Sequence, residues 1–227
     1  MRWPGAKASG HLRFSDPRGM TAQSSIRVTM YVDGFNLYHG LKEHTKARKY
    51  RWLNVWSLTQ ALLLPGHTLE RVVYFTSLPP WDQKKIARHQ VYLDALSSVG
   101  VEVVKGRFQK DEQLCRGACG QLFPNYVEKL TDVRISTSLL HDAVMNRFDW
   151  AYLMTGDADQ VPTLETVKLL APEKTVRVVF PPRRHSLDLE HTAPAFIGPL
   201  NHRLIKRHVL PATIQVGNRT LEKPDTW

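Results

Sequence analysis

The sequence predicts an α/β fold built on a central, mainly parallel sheet, and three observations carry that prediction. Apolar or β-branched runs recur along the chain at 28–32, 71–76, 101–104, 150–155 and 175–180, and stretches with helical spacing separate them. Two of these runs end abruptly in glycine and acid: residues 28–32 close on Asp33-Gly34, and residues 151–154 lead into Thr155-Gly156-Asp157. A hydrophobic content of 42% over 227 residues is enough for one sizeable core.

The first 25 residues are rich in Gly, Ser, Pro and Arg and show neither the helical nor the strand period, so they read as a flexible arm. The first strand spans 27–33. The segment after it places Phe35, Leu37 and Leu41 at helical spacing, and 52–64 reads as a second helix, carrying Val55, Leu58 and Leu62 and stopped by Pro65-Gly66. Strand 71–76 is bounded by Pro79-Pro80. Asp82 is positioned to cap a helix running to Ser98, with Ile86, Leu93 and Leu96 facing inward and Gly100 as terminator. Strand 101–104 then completes a pattern of right-handed βαβ units.

From 105 to 126 the pattern breaks into a polar insertion that holds both cysteines. A long helix is expected from about 127 to 148, with Val133, Leu140 and Val144 on one side. Next come the acidic strand, a helix at 162–170, the strand 175–180, a short apolar segment at 187–197 and a basic run at 202–208. One domain is expected over 26–212, with 213–227 as a tail.

The chain carries 31 Lys and Arg against 21 Asp and Glu, a formal charge of +10. If several acids gather at one site, the remaining surface is more basic still, which suits a polyanionic partner. The sequence shows no apolar run long enough for a membrane span and no apolar segment behind its N-terminal basic residues, so a cytoplasmic protein is expected. With only Cys115 and Cys119, no disulfide framework is available. Two readings of this pair stay open: reduced thiols, or half of a Zn2+ site completed by His89, His141, a carboxylate or a partner chain.

Asp33 and Asp157 each terminate a predicted parallel strand, and Asp132 opens the helix leading into the second of them. Ligands bind at the carboxyl edge of an open α/β sheet, and carboxylates gathered there without a basic partner are relieved by a hard cation. Mg2+ or Mn2+ held this way suits phosphodiester hydrolysis. Taken singly, each acid is also an ordinary turn or cap residue; it is their shared place at strand ends that favours a site. Asn36 is placed to orient a water or to hold Asp33, and Asp159 is close to Asp157 in the chain. Thr155 offers a hydroxyl to the same edge, and Asp142 reads as a solvated or more distant acid. Lys105, Arg107, Lys110, Arg134, Arg183 and Arg184 are candidates for gripping phosphate, with Phe108, Phe123 and Tyr126 as faces for unpaired bases. A dinucleotide site is disfavoured, because Asp33-Gly34-Phe35-Asn36 lacks the glycine fingerprint that admits a pyrophosphate.

Three segments, Val32-Asp33-Gly34-Phe35-Asn36-Leu37, Glu128-Lys129-Leu130-Thr131-Asp132-Val133 and Thr155-Gly156-Asp157-Ala158-Asp159, resemble in order and spacing the acidic motifs of the NYN-domain family of PIN-like nucleases. The likeness extends over about 27–210. It implies a Rossmann-like three-layer α/β/α sandwich and divalent-metal-dependent activity on RNA. It further implies Asp33, Asp132 and Asp157 as metal carboxylates, Asp159 as an auxiliary and Asn36 as the motif asparagine. Two positions depart from the pattern: Leu130 stands where a small residue, often Gly, is expected, and Gln160 replaces an apolar residue. The expected partners are therefore single-stranded or structured RNA and, in an oligomer, further copies of the chain. The alternatives are an RNA-binding regulatory module whose site has decayed and a nuclease directed at DNA.

Overall fold

The computed structural model describes residues 25–43, 50–115 and 120–225. The expected N-terminal arm and Cys119 lie outside these. Along the chain the elements are β1 (Ile26–Asp33), α1 (Gly34–Glu43), α2 (Val55–Leu62), β2 (His67–Thr76), α3 (Gln83–Ser98) and β3 (Glu102–Lys105). They continue with β4 (Arg107–Leu114), β5 (Leu122–Lys129), α4 (Thr131–Val144), β6 (Trp150–Met154) and a 3-10 turn (Ala158–Gln160) leading into α5 (Val161–Leu170). β7 (Thr175–Val179), α6 (Leu187–Thr192), β8 (Ala195–Ile197), α7 (His202–Arg207), β9 (Thr213–Val216) and β10 (Arg219–Glu222) complete the order.

Six strands form one sheet in the order β3-β2-β1-β6-β7-β8, and every pairing in it is parallel. Strand periodicity divides the side chains between two cores. Met30, Val32, Tyr74 and Met154 pack with Leu37 and Leu41 of α1, Leu58 of α2 and Leu93 and Leu96 of α3. Tyr31, Val73, Phe75 and Leu153 pack on the opposite face with Ile135 and Leu139 of α4 and Leu164 and Val167 of α5. The result is the three-layer α/β/α sandwich. No helix among the described residues is long and apolar enough to cross a membrane.

Three local expectations are corrected. Residues 107–129, expected as an irregular insertion running into a long helix, form an antiparallel ribbon of β4 and β5 with a register from Arg107–Lys129 to Leu114–Leu122. Helix α4 begins only at Thr131, because Leu130 takes a left-handed conformation, φ 77°, that breaks the chain between strand and helix. Its buried face is Ile135, Leu139 and Ala143, whereas Val133 and Val144 are exposed. Residues 213–222 form a hairpin whose Leu221 is buried in the α3-side core.

Asp142 is neither solvated nor at the sheet edge. It is buried in α4, where it accepts from Tyr31 Oη at 2.7 Å and pairs with Arg71 and Arg147. The hydrogen bond from Tyr31 and these cations hold its carboxyl below the ordinary range against the cost of burial. It fastens α4 to the sheet.

Candidate active site at the carboxyl edge of the sheet

Strand order reverses between β1 and β6: from β1 the chain moves outward to β2 and β3, and from β6 to β7 and β8. The crevice beyond the carboxyl ends of those two strands is the topological switch point, where open α/β sheets place their ligands. Asp33 ends β1 there, and Thr155, Gly156 and Asp157 follow β6.

Asp33 is 3% exposed, and each of its carboxylate oxygens accepts one hydrogen bond. One carboxylate oxygen accepts the backbone N–H of Asn36 at 2.9 Å, in the first turn of α1, and the other accepts the Thr155 hydroxyl at 3.0 Å. The Asn36 side-chain oxygen accepts the Gly156 N–H at 3.1 Å and so ties α1 to the loop after β6. Thr155 Oγ1 also accepts the Asp157 N–H at 3.1 Å, and Asp157 in turn accepts the Asp159 N–H at 3.1 Å. The approach is too close for side chains at two glycines. A Cβ on Gly34 would stand 2.5 Å from the Phe75 carbonyl, and one on Gly156 2.8 Å from Arg184 Cβ.

The remaining acid comes from α4. Asp132 lies in its first turn, half-buried, and its position is set by two polar clusters. Glu128 accepts from Ser77 Oγ at 2.9 Å and from Thr131, which pins the start of α4 to the end of β2. A Cβ on Gly106 would stand 2.5 Å from Ser77 Oγ, within that cluster. On the other side Gln160 is 1% exposed, and Ser136 shares its one hydroxyl proton between the Asp132 carbonyl at 2.9 Å and the Gln160 side-chain oxygen at 3.1 Å; Thr163 Oγ1 lies 2.8 Å from Ser136 Oγ and 3.2 Å from the same Gln160 oxygen. The polar substitution at Gln160 therefore couples the first turn of α4 to the turn that carries Asp157 and Asp159. The sequence reading missed Ser77 and Gln160 as positioning groups; Ser77 is 51 residues from Glu128, so no local pattern announces the contact.

Burial pushes the Asp33 carboxyl up to about 6, and the charges of Asp132 and Asp157 add to that, while the Asn36 amide and the Thr155 hydroxyl act in the opposite direction. Asp132 is raised as well, by burial first and then by Asp157, Glu128 and Asp159. These acids feel one another without compensation. Among the described residues none of Asp33, Asp132, Asp157 and Asp159 forms an ion pair. Neither do three acidic, His or Cys side chains converge closely enough among the described residues to enclose a cation unaided. The donor set fits Mg2+ or Mn2+, which take one or two direct carboxylates and complete their shell with water and substrate oxygen.

The predicted basic residues distribute unequally. Arg184 packs over Gly156 and pairs with Glu43, at the rim of the crevice. Arg183 is exposed beside it in a left-handed conformation. Arg134 is exposed on α4 and does not pair with Asp132. Lys105 donates to Gln90 at 2.9 Å, and Arg107 stands opposite Lys129 on the ribbon. Cys115 closes β4, its N–H on the Gln121 carbonyl at 2.8 Å, and no three-ligand set surrounds it among the described residues.

Residues 27–200 match the model of the family described as NYN domain. The chain belongs to the NYN-domain family. All three acidic segments fall inside the match. NYN domains are part of the PIN-like nuclease superfamily; they typically act on RNA and generally use divalent metals. The chain is 22% identical over 240 residues to a Pseudomonas putida protein named 6-hydroxy-3-succinoylpyridine 3-monooxygenase, an alignment covering 89% of this chain and 75% of that one. A solved structure of a protein of unknown function from Vibrio parahaemolyticus superposes with a TM-score of 0.55 at 20% identity, covering 81% of this chain and 98% of that one. It shares the fold of this NYN domain.

Proposed function

We propose that this NYN protein is a divalent-metal-dependent ribonuclease acting at the β1/β6 crevice, in keeping with the expected cytoplasmic location. The observation that carries the proposal is an uncompensated acidic centre, Asp33, Asp132, Asp157 and Asp159, in a chain of net charge +10. A basic surface gathers the RNA, and a cation in the acidic crevice favours the entry of phosphate.

When bound, Mg2+ or Mn2+ would neutralise charge on the phosphodiester and make water nucleophilic near neutral pH. The protein's own part is positional. Asp33, immobilised by Asn36 N–H and Thr155, offers a carboxylate that cannot rotate away. Asn36 holds the loop after β6 so that Asp157 stays at the same edge. Half-buried Asp132 and exposed Asp159 are the further acids offered as acceptors of a proton from water, and Arg184, at the rim, as the contact for a non-scissile phosphate.

The test is cleavage of single-stranded and hairpin RNA with added Mn2+ or Mg2+. Wild type cuts, and Asp33→Asn and Asp157→Asn lower the rate by at least about a hundredfold, in line with loss of a group that stabilises the transition state. RNA bound tightly by wild type but left intact under all metals would refute the enzyme and leave the regulatory binding module. Matched DNA oligonucleotides decide between RNA and DNA. A second reading comes from the relative named as a pyridine-ring monooxygenase, since an aromatic-lined cavity adjoins Gly34. O2-dependent hydroxylation of 6-hydroxy-3-succinoylpyridine supplied with a two-electron reductant, with no RNA cleavage, would establish it.

A further inference from the structure

A cavity of about 300 Å3 opens on the α1–α3 side of the crevice, reaching Gly34, Thr76 and Ser77 at the ends of β1 and β2. That volume is at the small end of ligand pockets. Its wall is aromatic and continuous. Trp81 meets Phe108 edge-on at 4.8 Å, Phe108 meets Phe35 edge-on at 5.8 Å, and Phe35 stacks on His39 at 6.3 Å. Outside the cavity Tyr126 stacks on the other side of Trp81 at 4.1 Å and 25°, which holds the indole in place.

Among the described residues the charged groups lining this cavity are Lys42, Arg51 and Lys85, and Lys85 pairs with Asp82 at 3.1 Å. Arg51 lies over the Tyr38 ring at 5.3 Å, and its buried Nε has no acceptor among the described residues. Trp81 is 44% exposed, so one part of the indole is open to a ligand while Phe108 and Tyr126 pack against it. Aromatic faces with cations at the rim, next to an acidic crevice, complement a flat ring joined to a phosphate. Unpaired bases stack on such faces, and guanidinium and ammonium groups take the adjoining phosphate.

We propose that this cavity seats one unpaired base of the RNA strand, stacked along Trp81 and Phe35, beside the phosphate that enters the Asp33 crevice. The inference rests on the ribonuclease reading for its choice of RNA as the source of the ring. It makes base identity or the absence of pairing at one position a determinant of where the strand is cut.

The test is binding, separated from cleavage by EDTA. A fluorescent single-stranded oligoribonucleotide is titrated with the full chain, and the titration is repeated with a set in which each nucleotide in turn is abasic. Loss of a single stacked base corresponds to about ten- to a hundredfold in Kd. The expected result is that penalty at one position, shrinking to a few-fold in both Trp81→Ala and Phe35→Ala, with circular dichroism unchanged. Equal binding of every abasic strand overturns the proposal, as does a positional penalty that survives both substitutions. Binding of free nucleoside monophosphates without binding of the strand overturns it too, and points to a small heteroaromatic acid. The ribonuclease reading fails by a different result, an intact strand in Mn2+ despite the positional penalty in EDTA.

Discussion

Asp33→Asn tests whether Asp33 is kept for function at the expense of stability. Burial raises this carboxyl from an ordinary value near 4 to about 6. Ionising it inside the folded chain therefore costs about 3 kcal/mol relative to the unfolded chain. Below about pH 4 the group is protonated in both states and the cost is absent. Between about pH 4 and 6 the unfolded chain releases its proton while the folded one keeps it, so stability falls as pH rises; above about 6 the penalty is complete. An amide of the same shape abolishes that cost. Against the gain, the Thr155 hydroxyl that now donates to Asp33 at 3.0 Å loses a charged acceptor, worth about 1–2 kcal/mol.

The net expectation in EDTA at pH 7.5 is a variant about 1–2 kcal/mol more stable than wild type, a Tm higher by about 2–8 °C for a chain of this size. At pH 4 the order reverses, with the variant about 1 kcal/mol less stable. Thermal unfolding followed by circular dichroism at the two pH values measures both. Added Mn2+ should raise the wild-type Tm, by about 2.7 kcal/mol of stability at a hundred times Kd, and leave the variant nearly unmoved. A variant less stable by the same amount at both pH values would show that Asp33 is held for structure, and the case for a strained functional acid would collapse.

Two further predictions concern the departures from the family pattern. Leu130→Gly releases a left-handed Leu, which costs roughly 1–2 kcal/mol, and removes a side chain that is 39% exposed; after the extra freedom of Gly in the unfolded chain, urea unfolding should show a gain of about 0.5–1 kcal/mol. A loss instead would mean that the Leu130 side chain contributes packing that its exposure does not suggest. Gln160→Leu removes one acceptor shared by Ser136 and Thr163, which keep the Asp132 carbonyl at 2.9 Å and their own contact at 2.8 Å, so a loss of about 1 kcal/mol is expected in the same assay, together with slower RNA cleavage through displacement of Asp132; unchanged stability and rate would show that Gln160 does not couple α4 to the acidic turn.

The parts of the fold that sequence discloses are those where one element satisfies one pattern. β1 and β6 lie at the middle of the sheet, covered on both faces, so they read as unbroken apolar runs, and their terminal acids stand out against them. Asp82 is the N-cap of α3, accepting the Lys85 N–H at 2.9 Å, as its place before the amphipathic run implies. The β4–β5 ribbon gives no such pattern. Arg107–Leu114 is largely exposed, so no face has to be apolar and the strand period vanishes. The β9–β10 hairpin carried a readable signal in Gly217-Asn218, with Gly217 at φ 58°, which an assignment of the segment to the tail overlooks. The site divides in the same way: Asp33 and Asp157 are legible because each ends a strand, whereas the Ser77–Glu128–Thr131 cluster and the Trp81–Tyr126 stack join residues that approach only when the ribbon folds over the end of β2.

That ribbon also explains how one crevice can serve both chemistry and recognition. It leaves the sheet directly after β3, with Gly106 N–H on the Thr76 carbonyl at 2.7 Å, and returns as the strand that delivers α4. Its outgoing arm contributes Phe108 to the aromatic wall, and its returning arm carries Glu128 next to its last residue, which fixes the helix start that presents Asp132. A shift of the ribbon therefore moves the wall and the acid together. The two sides also differ in charge: among the described residues the crevice holds acids without ion pairs, and the cavity beside it is lined by Lys42, Arg51 and Lys85, the last paired with Asp82. An RNA strand laid across this boundary meets cations first and the acidic centre second. It enters the acidic side more favourably with a divalent ion in place, so metal and strand should bind with positive coupling at the Asp33 crevice.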